Sequence, residues 1–119
     1  MGSDGFRGLV VWQRAKNLAV RVYRVCAEGR LASDFGLRDQ LQRSAVSIAS
    51  NIAEGDERSS DREAVRFFFI AKGSLAELST QIEIAKEIGY LNSEVTEAIE
   101  AECVAIGKML GALIKARSK

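Results

Sequence analysis

Apolar residues recur along this chain at alternating spacings of three and four, the period of a helix that buries one face. Val11, Ala15, Leu18, Val22 and Val25 form the first such line and predict a helix from about Gly8 to Glu28. Leu9, Trp12, Ala19, Tyr23 and Cys26 add a second stripe beside it. Leu37, Leu41, Ala45, Ile48 and Ile52 predict a second helix, from Phe35 or Gly36 to Glu54. Ala64, Phe68, Ala71, Leu75, Leu78, Ile82 and Ala85 predict a third, ending near Ile88. Ile99, Cys103, Ile106, Leu110 and Leu113 predict a fourth, ending near Ala116.

Residues that start and stop helices sit between these lines. Gly29 suits the C-terminal side of the first helix. Gly55 is expected to stop the second, since glycine enters the left-handed conformation at low steric cost. Ser60 with Glu63 makes a capping box for the third, and Gly89 ends it. Ser93 is the expected N-cap of the fourth, with Glu94 and Glu97 in its positive first turn. The chain has no proline, which suits helices joined by short turns. The expected fold is all-α: an antiparallel up-down-up-down four-helix bundle over residues 8–119, after a flexible segment at residues 1–7.

Composition narrows the chemistry. The chain has 119 residues, enough for one core, and no histidine. Without imidazole there is no Ser-His or Cys-His nucleophile pair, and no Glu-x-x-His di-iron motif. No metal-ligand spacing or glycine-rich phosphate loop occurs, so neither a metal nor a cofactor is expected. Cys26 and Cys103 lie in helical patterns and read as buried apolar residues, in preference to a bridge. No apolar run reaches the roughly 20 residues that span a bilayer, and the start lacks a signal-peptide pattern. A cytoplasmic location is expected, with no membrane partner.

The net charge is +1, and it is unevenly placed: residues 1–50 carry +4 and residues 51–119 carry −3. Arg7, Arg14 and Arg21 recur every seven residues, with Lys16 and Arg24 close by. On a helix they form a basic stripe that either tracks phosphates of RNA or DNA or is a solvated outer face. Arg58, Arg62 and Arg66 interleave with acidic residues, which points to local ion pairs.

The third helix is more apolar than a lone bundle needs. Phe67, Phe68 and Phe69 are consecutive and Ile70 follows, so they spread around the helix while one stripe suffices for a core. Gly73 and Ser74 sit in mid-helix, where glycine costs about 1 kcal/mol against alanine unless a close helix approach requires it. Phe67, Phe69 and Ile70 are therefore expected at an interface between copies, against the alternative of a wide internal contact with one exposed aromatic.

The run Arg43 to Arg58, RSAVSIASNIAEGDER, reads as an amphipathic helix with a stop and a turn. Glu54 in this run and Glu77 on the third helix are the notable carboxylates. With no companion nucleophile they are expected to be structural, Glu54 paired with Arg58 or Arg43 and Glu77 at a helix contact. No catalytic residue is assigned.

Leu9 to Trp12, Phe35-Gly36-Leu37, Gln40, Arg43, Asn51-Ile52-Ala53-Glu54-Gly55, Arg58, Phe67, Gly73-Ser74, Glu77 and Gly89-Tyr90-Leu91 occur in this order. Together they resemble the four-helix-bundle proteins encoded within intervening sequences of bacterial 23S rRNA genes, over about Phe6 to Leu113. The resemblance implies a homopentamer of antiparallel bundles and no established enzymatic activity. It marks Asn51, Glu54, Gly55, Arg58, Gly73, Ser74 and Glu77 as signature residues of structural kind. The accessory variability proteins of diversity-generating retroelements look like relatives, which bind nucleic acid and a reverse transcriptase. Those are markedly basic, whereas this chain is nearly neutral. Two functions are expected to compete: a homo-oligomeric adaptor that touches RNA or DNA through the first helix, and a scaffold for a protein partner with no nucleic-acid role.

Overall fold

The computed structural model describes residues 5–118 and is all-α, with no strand among them. Four helices follow one another: α1 (Val10–Cys26), α2 (Phe35–Asp56), α3 (Asp61–Glu87) and α4 (Ser93–Arg117). Short 3-10 turns cover Gly5–Gly8 and Gly29–Ser33. The expected flexible start is thus described only from Gly5, and there the chain is turned back so that Phe6 meets Trp12 edge-on at 5.1 Å.

Each helix packs on the next, and cross-links between them run antiparallel. Ser44 meets Gln81 while Ser47 meets Ser74, so numbers rise on α2 as they fall on α3. Ser79 of α3 meets Glu100 of α4, and Arg14 of α1 meets Glu102 of α4. The assembly is 44 × 23 × 22 Å, its long axis set by α3, whose 27 residues span about 40 Å at 1.5 Å per residue.

The core follows the expected lines with small shifts. All seven apolar positions read on α3 are buried, as are Leu41, Ala45, Ile48 and Ile52 on α2. On α1 the seam ends in Cys26 where Val25 was expected. On α4, Ile114 takes the place foreseen for Leu113, which is half-buried. Among the described residues no buried side-chain nitrogen or oxygen lacks a hydrogen-bond partner.

Helix boundaries hold two corrections. The N-cap of α4 is Asn92, whose side-chain oxygen accepts from the Val95 amide at 2.8 Å; Ser93 is already helical. An asparagine one residue earlier reaches that amide without displacing the first turn. The second correction is Gly55. It does not stop α2 in the left-handed conformation: α2 continues to Asp56, and among the described residues positive φ occurs only at Gly5, Gly29 and Gly89. The requirement for glycine is spatial. A Cβ at position 55 would lie 2.6 Å from the Phe68 ring and 3.0 Å from the Ala64 carbonyl oxygen.

Two other boundaries form as expected. Ser60 accepts from the Glu63 amide at 3.2 Å to open α3, the serine half of the expected capping box, while the Glu63 carboxylate pairs with Arg66 at 3.7 Å. At its far end Gly89 has φ +86°, the Gly89 amide donates to Lys86 and the Tyr90 amide to Ala85, which closes the last turn.

Gly55 yields a test whose sign is opposite to helix propensity. Alanine is the better helix former by about 1 kcal/mol. Gly55→Ala is nevertheless expected to destabilise by roughly 1–3 kcal/mol, because the methyl overpacks Phe68. Gly111→Ala in α4, where no atom lies within 4 Å of the added Cβ, is expected to stabilise by up to about 1 kcal/mol. Urea unfolding at one protein concentration measures both; a stabilised Gly55→Ala chain would refute the spatial account.

Candidate functional site

The five cations of the first-helix pattern do not share one environment. Arg7 lies in the 3-10 turn, with its guanidinium 4.7 Å from the Phe6 ring centre. Arg14 forms a two-pronged pair with Glu102 of α4, at 2.9 and 2.8 Å. Arg21 is on the same side, where its charge also acts on Glu102. Lys16 and Arg24 border α2 instead, with Lys16 5.9 Å from the Trp12 ring centre. Arg14 is thus engaged in holding α1 to α4, while Arg7, Lys16, Arg21 and Arg24 are exposed and make no salt bridge among the described residues.

Between α1 and α2 runs an apolar groove of about 670 Å³. Its walls come from Trp12, Ala19 and Tyr23 of the second stripe of α1, from Val20 beside them, and from Val46, Ala49 and Ala53 of α2, with Phe6 at one end. The stripe was legible in the sequence. Its incomplete burial was not, because α1 needs only one seam to join the core.

The signature residues gather along α2 and α3. Glu54 meets Arg58 at 3.2 Å, one of the two partners foreseen. Arg58 and Arg66 lie over Phe67 at 4.4 and 5.0 Å from its ring centre. Phe67 is therefore buried beneath its own arginines, while Phe69 and Ile70 are 56 % and 41 % exposed. Asn51 donates to the carbonyl and hydroxyl oxygens of Ser47 at 2.9 and 3.0 Å, and the Ser47 and Ser74 hydroxyls share a hydrogen bond at 2.8 Å. Glu77 faces a polar groove with Gln40, Arg43, Ser44, Ser47 and Gln81. Gly73 has open space where a Cβ would project, so no contact inside the chain accounts for it.

Three ties at the bundle ends were missed. Arg117 reaches Asp56 at 3.0 Å and Asp61 at 3.5 Å, and lies over Phe68. Its sequence position showed only a cation at a helix C-terminus. Asp34 caps α2 with one oxygen, accepting from the Leu37 amide, and takes the Tyr90 hydroxyl on the other at 3.0 Å. Arg30 lies over the Tyr90 ring at 5.3 Å. No group of three acidic or cysteine side chains able to hold a metal occurs among the described residues.

Titration behaviour follows from these contacts. The hydrogen bonds from Arg14 hold the Glu102 carboxyl below the usual range, against partial burial and with help from the charges of Arg14 and Arg21. Burial pushes the Cys26 thiol up to about 11 and Cys103 to about 12, so neither is a thiolate nucleophile at neutral pH. The two cysteines are free.

Two outcomes are expected. A depressed folded pKa at Glu102 means the Arg14 pair contributes fully above the unfolded carboxylate value of about 4.3, and is lost as pH falls through the lower folded value. Glu102→Gln should lower stability at neutral pH and flatten its fall on acidification, read from urea midpoints at several pH values. A thiol-specific reagent should label neither cysteine in the native chain and both in urea; fast native labelling would contradict the burial.

Comparison with known proteins fits this architecture. A solved protein of unknown function from the S23 ribosomal protein family of Bacteroides thetaiotaomicron VPI-5482 superposes with a TM-score of 0.82 at 27 % identity, covering 89 % of this chain and 99 % of that one. Comparison with curated proteins gives no match. The family model described as 23S rRNA-intervening sequence protein matches residues 7–112, nearly the whole bundle, and the chain belongs to that family.

Proposed function

We propose that this chain is a non-enzymatic cytoplasmic bundle that self-associates and works as an adaptor, with the pentamer implied by its family resemblance as the expected ring. One observation carries the reading: large apolar side chains stay uncovered on more than one side of a bundle whose interior is satisfied. Val20, Tyr23 and Val46 border the α1/α2 groove, and Phe69, Ile84 and Ile88 stand on α3. Contiguous exposed apolar surface of this kind marks interaction sites. Three of the charged residues that sequence alone left open to other roles are engaged in structural pairs: Arg14 with Glu102, and Glu54 with Arg58.

Contact with RNA or DNA is a second reading. It rests on Arg7 in the 3-10 turn and Lys16, Arg21 and Arg24 on α1, exposed cations that make no salt bridge among the described residues. Phosphate contacts release counterions, so such binding weakens steeply with salt.

Light scattering on nuclease-treated and untreated protein tests the first reading; a mass near five times the 13.0 kDa chain is expected after nuclease, and a 13.0 kDa species at every concentration would sink self-association. Titration of labelled rRNA fragments at about 50 and about 200 mM salt tests the second. No binding at the lower salt leaves the scaffold for a protein partner.

A further inference from the structure

Two uncovered apolar surfaces of this bundle carry opposite charge. The first is the α1/α2 groove, where Val20, Tyr23 and Val46 are 43 %, 48 % and 41 % exposed and Lys16 and Arg24 stand at the border. The second runs along α3 beside α4. There Ile84 and Ile88, one turn apart, are 46 % and 48 % exposed, next to Glu83, Glu87 and Glu100. Lys16, Arg24, Glu83 and Glu87 form no salt bridge among the described residues. On the same side of α3, at helical spacing from Ile84, the exposed positions Thr80, Ala76 and Gly73 are small. Since Gly73 has open space over its Cα, another backbone can come close there.

We propose that these two surfaces bind each other between copies of the chain: the α3 edge of one copy, led by Ile84 and Ile88, lies in the α1/α2 groove of the next, with Glu83 and Glu87 against Lys16 and Arg24. This rests on the self-association reading and deepens it by naming the faces. An amphipathic helix edge seated in an apolar groove buries side chains at a spacing of about four, which Ile84 and Ile88 provide. The flanking charges fix which surface meets which, since complementary potentials favour the right pairing and like charges oppose the wrong one. Two α1/α2 grooves face to face would set Lys16 and Arg24 against their own copies; two α3 edges would do the same with Glu83 and Glu87. The favoured contact is therefore heterologous. Each copy uses both faces, so a heterologous contact repeats from copy to copy and forms a ring where its rotation closes.

Charge reversal separates this pairing from other modes of assembly. Lys16→Glu with Arg24→Glu, and separately Glu83→Lys with Glu87→Lys, should each reduce the light-scattering mass to that of one 13.0 kDa chain. The four substitutions together recreate the complementarity with inverted sign and should restore the wild-type mass. Far-UV circular dichroism checks that every variant stays helical; should a double variant lose helix, Arg24→Glu, Glu87→Lys and their combination take its place. An oligomeric wild type whose mass no variant changes would overturn the assigned faces and leave self-association standing. Doubles that dissociate with no recovery in the combined variant would overturn the direct pairing. A wild type that is a single chain at every concentration would remove both readings.

Discussion

At the corner where α2 turns into α3, the Phe68 ring occupies the volume that a Cβ at position 55 would need. Phe68 is fully buried, so the ring has nowhere to go, and any residue larger than glycine at 55 must push two helices apart. The neighbouring arrangement depends on this contact. The corner is only four residues long, Glu57 to Ser60, so the distance between α2 and α3 is set at its start and carried along both helices. Arg117 closes the same corner from the end of α4, over the Phe68 ring and onto Asp56 and Asp61. One aromatic ring thereby links α2, α3 and α4.

Once α2 and α3 are that close, polar side chains fit between them only if they find partners. Ser47 and Ser74 satisfy each other, Asn51 returns to Ser47, and Ser44 donates to Gln81, which in turn donates to Gln40. Small hydroxyl residues suit a narrow gap, and a satisfied hydrogen bond there contributes modestly while an unsatisfied one would be costly. Such a ladder also fixes register. A slip of α3 by one turn would break these bonds together and move the aromatic run away from Gly55.

Much of this was readable in the sequence because it depends on local periodicity. The seven-residue apolar line of α3, the Ser60 cap and the Gly89 stop follow from the helix period and from backbone conformation, which neighbouring residues reveal. Gly55 was misassigned because glycine has two distinct uses, left-handed backbone and close approach. Only the position of Phe68, thirteen residues on, tells them apart. Arg14 was read within a heptad pattern, yet its partner Glu102 lies 88 residues away, and no local pattern reports such a pair. Phe67 shows the same limit. Its place in an aromatic run pointed outward, but Arg58 from the corner before α3 and the neighbouring Arg66 cover it.

The charge split along the chain takes on a meaning in three dimensions. The basic half of the sequence contains α1 and most of α2, and the acidic half contains α3 and α4. Within one copy part of this is neutralised, Arg14 against Glu102, and part is left over on opposite ends of the helix order: Lys16 and Arg24 beside one groove, Glu83 and Glu87 beside another. A chain with net charge +1 has little long-range repulsion between copies, so in the proposed assembly short-range complementarity would decide which faces meet. The proposed head-to-tail contact would set the leftover cations of one copy on the leftover carboxylates of the next and cover both of these apolar surfaces at once. Two-fold contact through either surface would cover that one alone and set like charges together. In the proposed contact Lys16 and Arg24 are taken up by the neighbouring copy, and Arg7 in the 3-10 turn and Arg21 on α1 stay outside it.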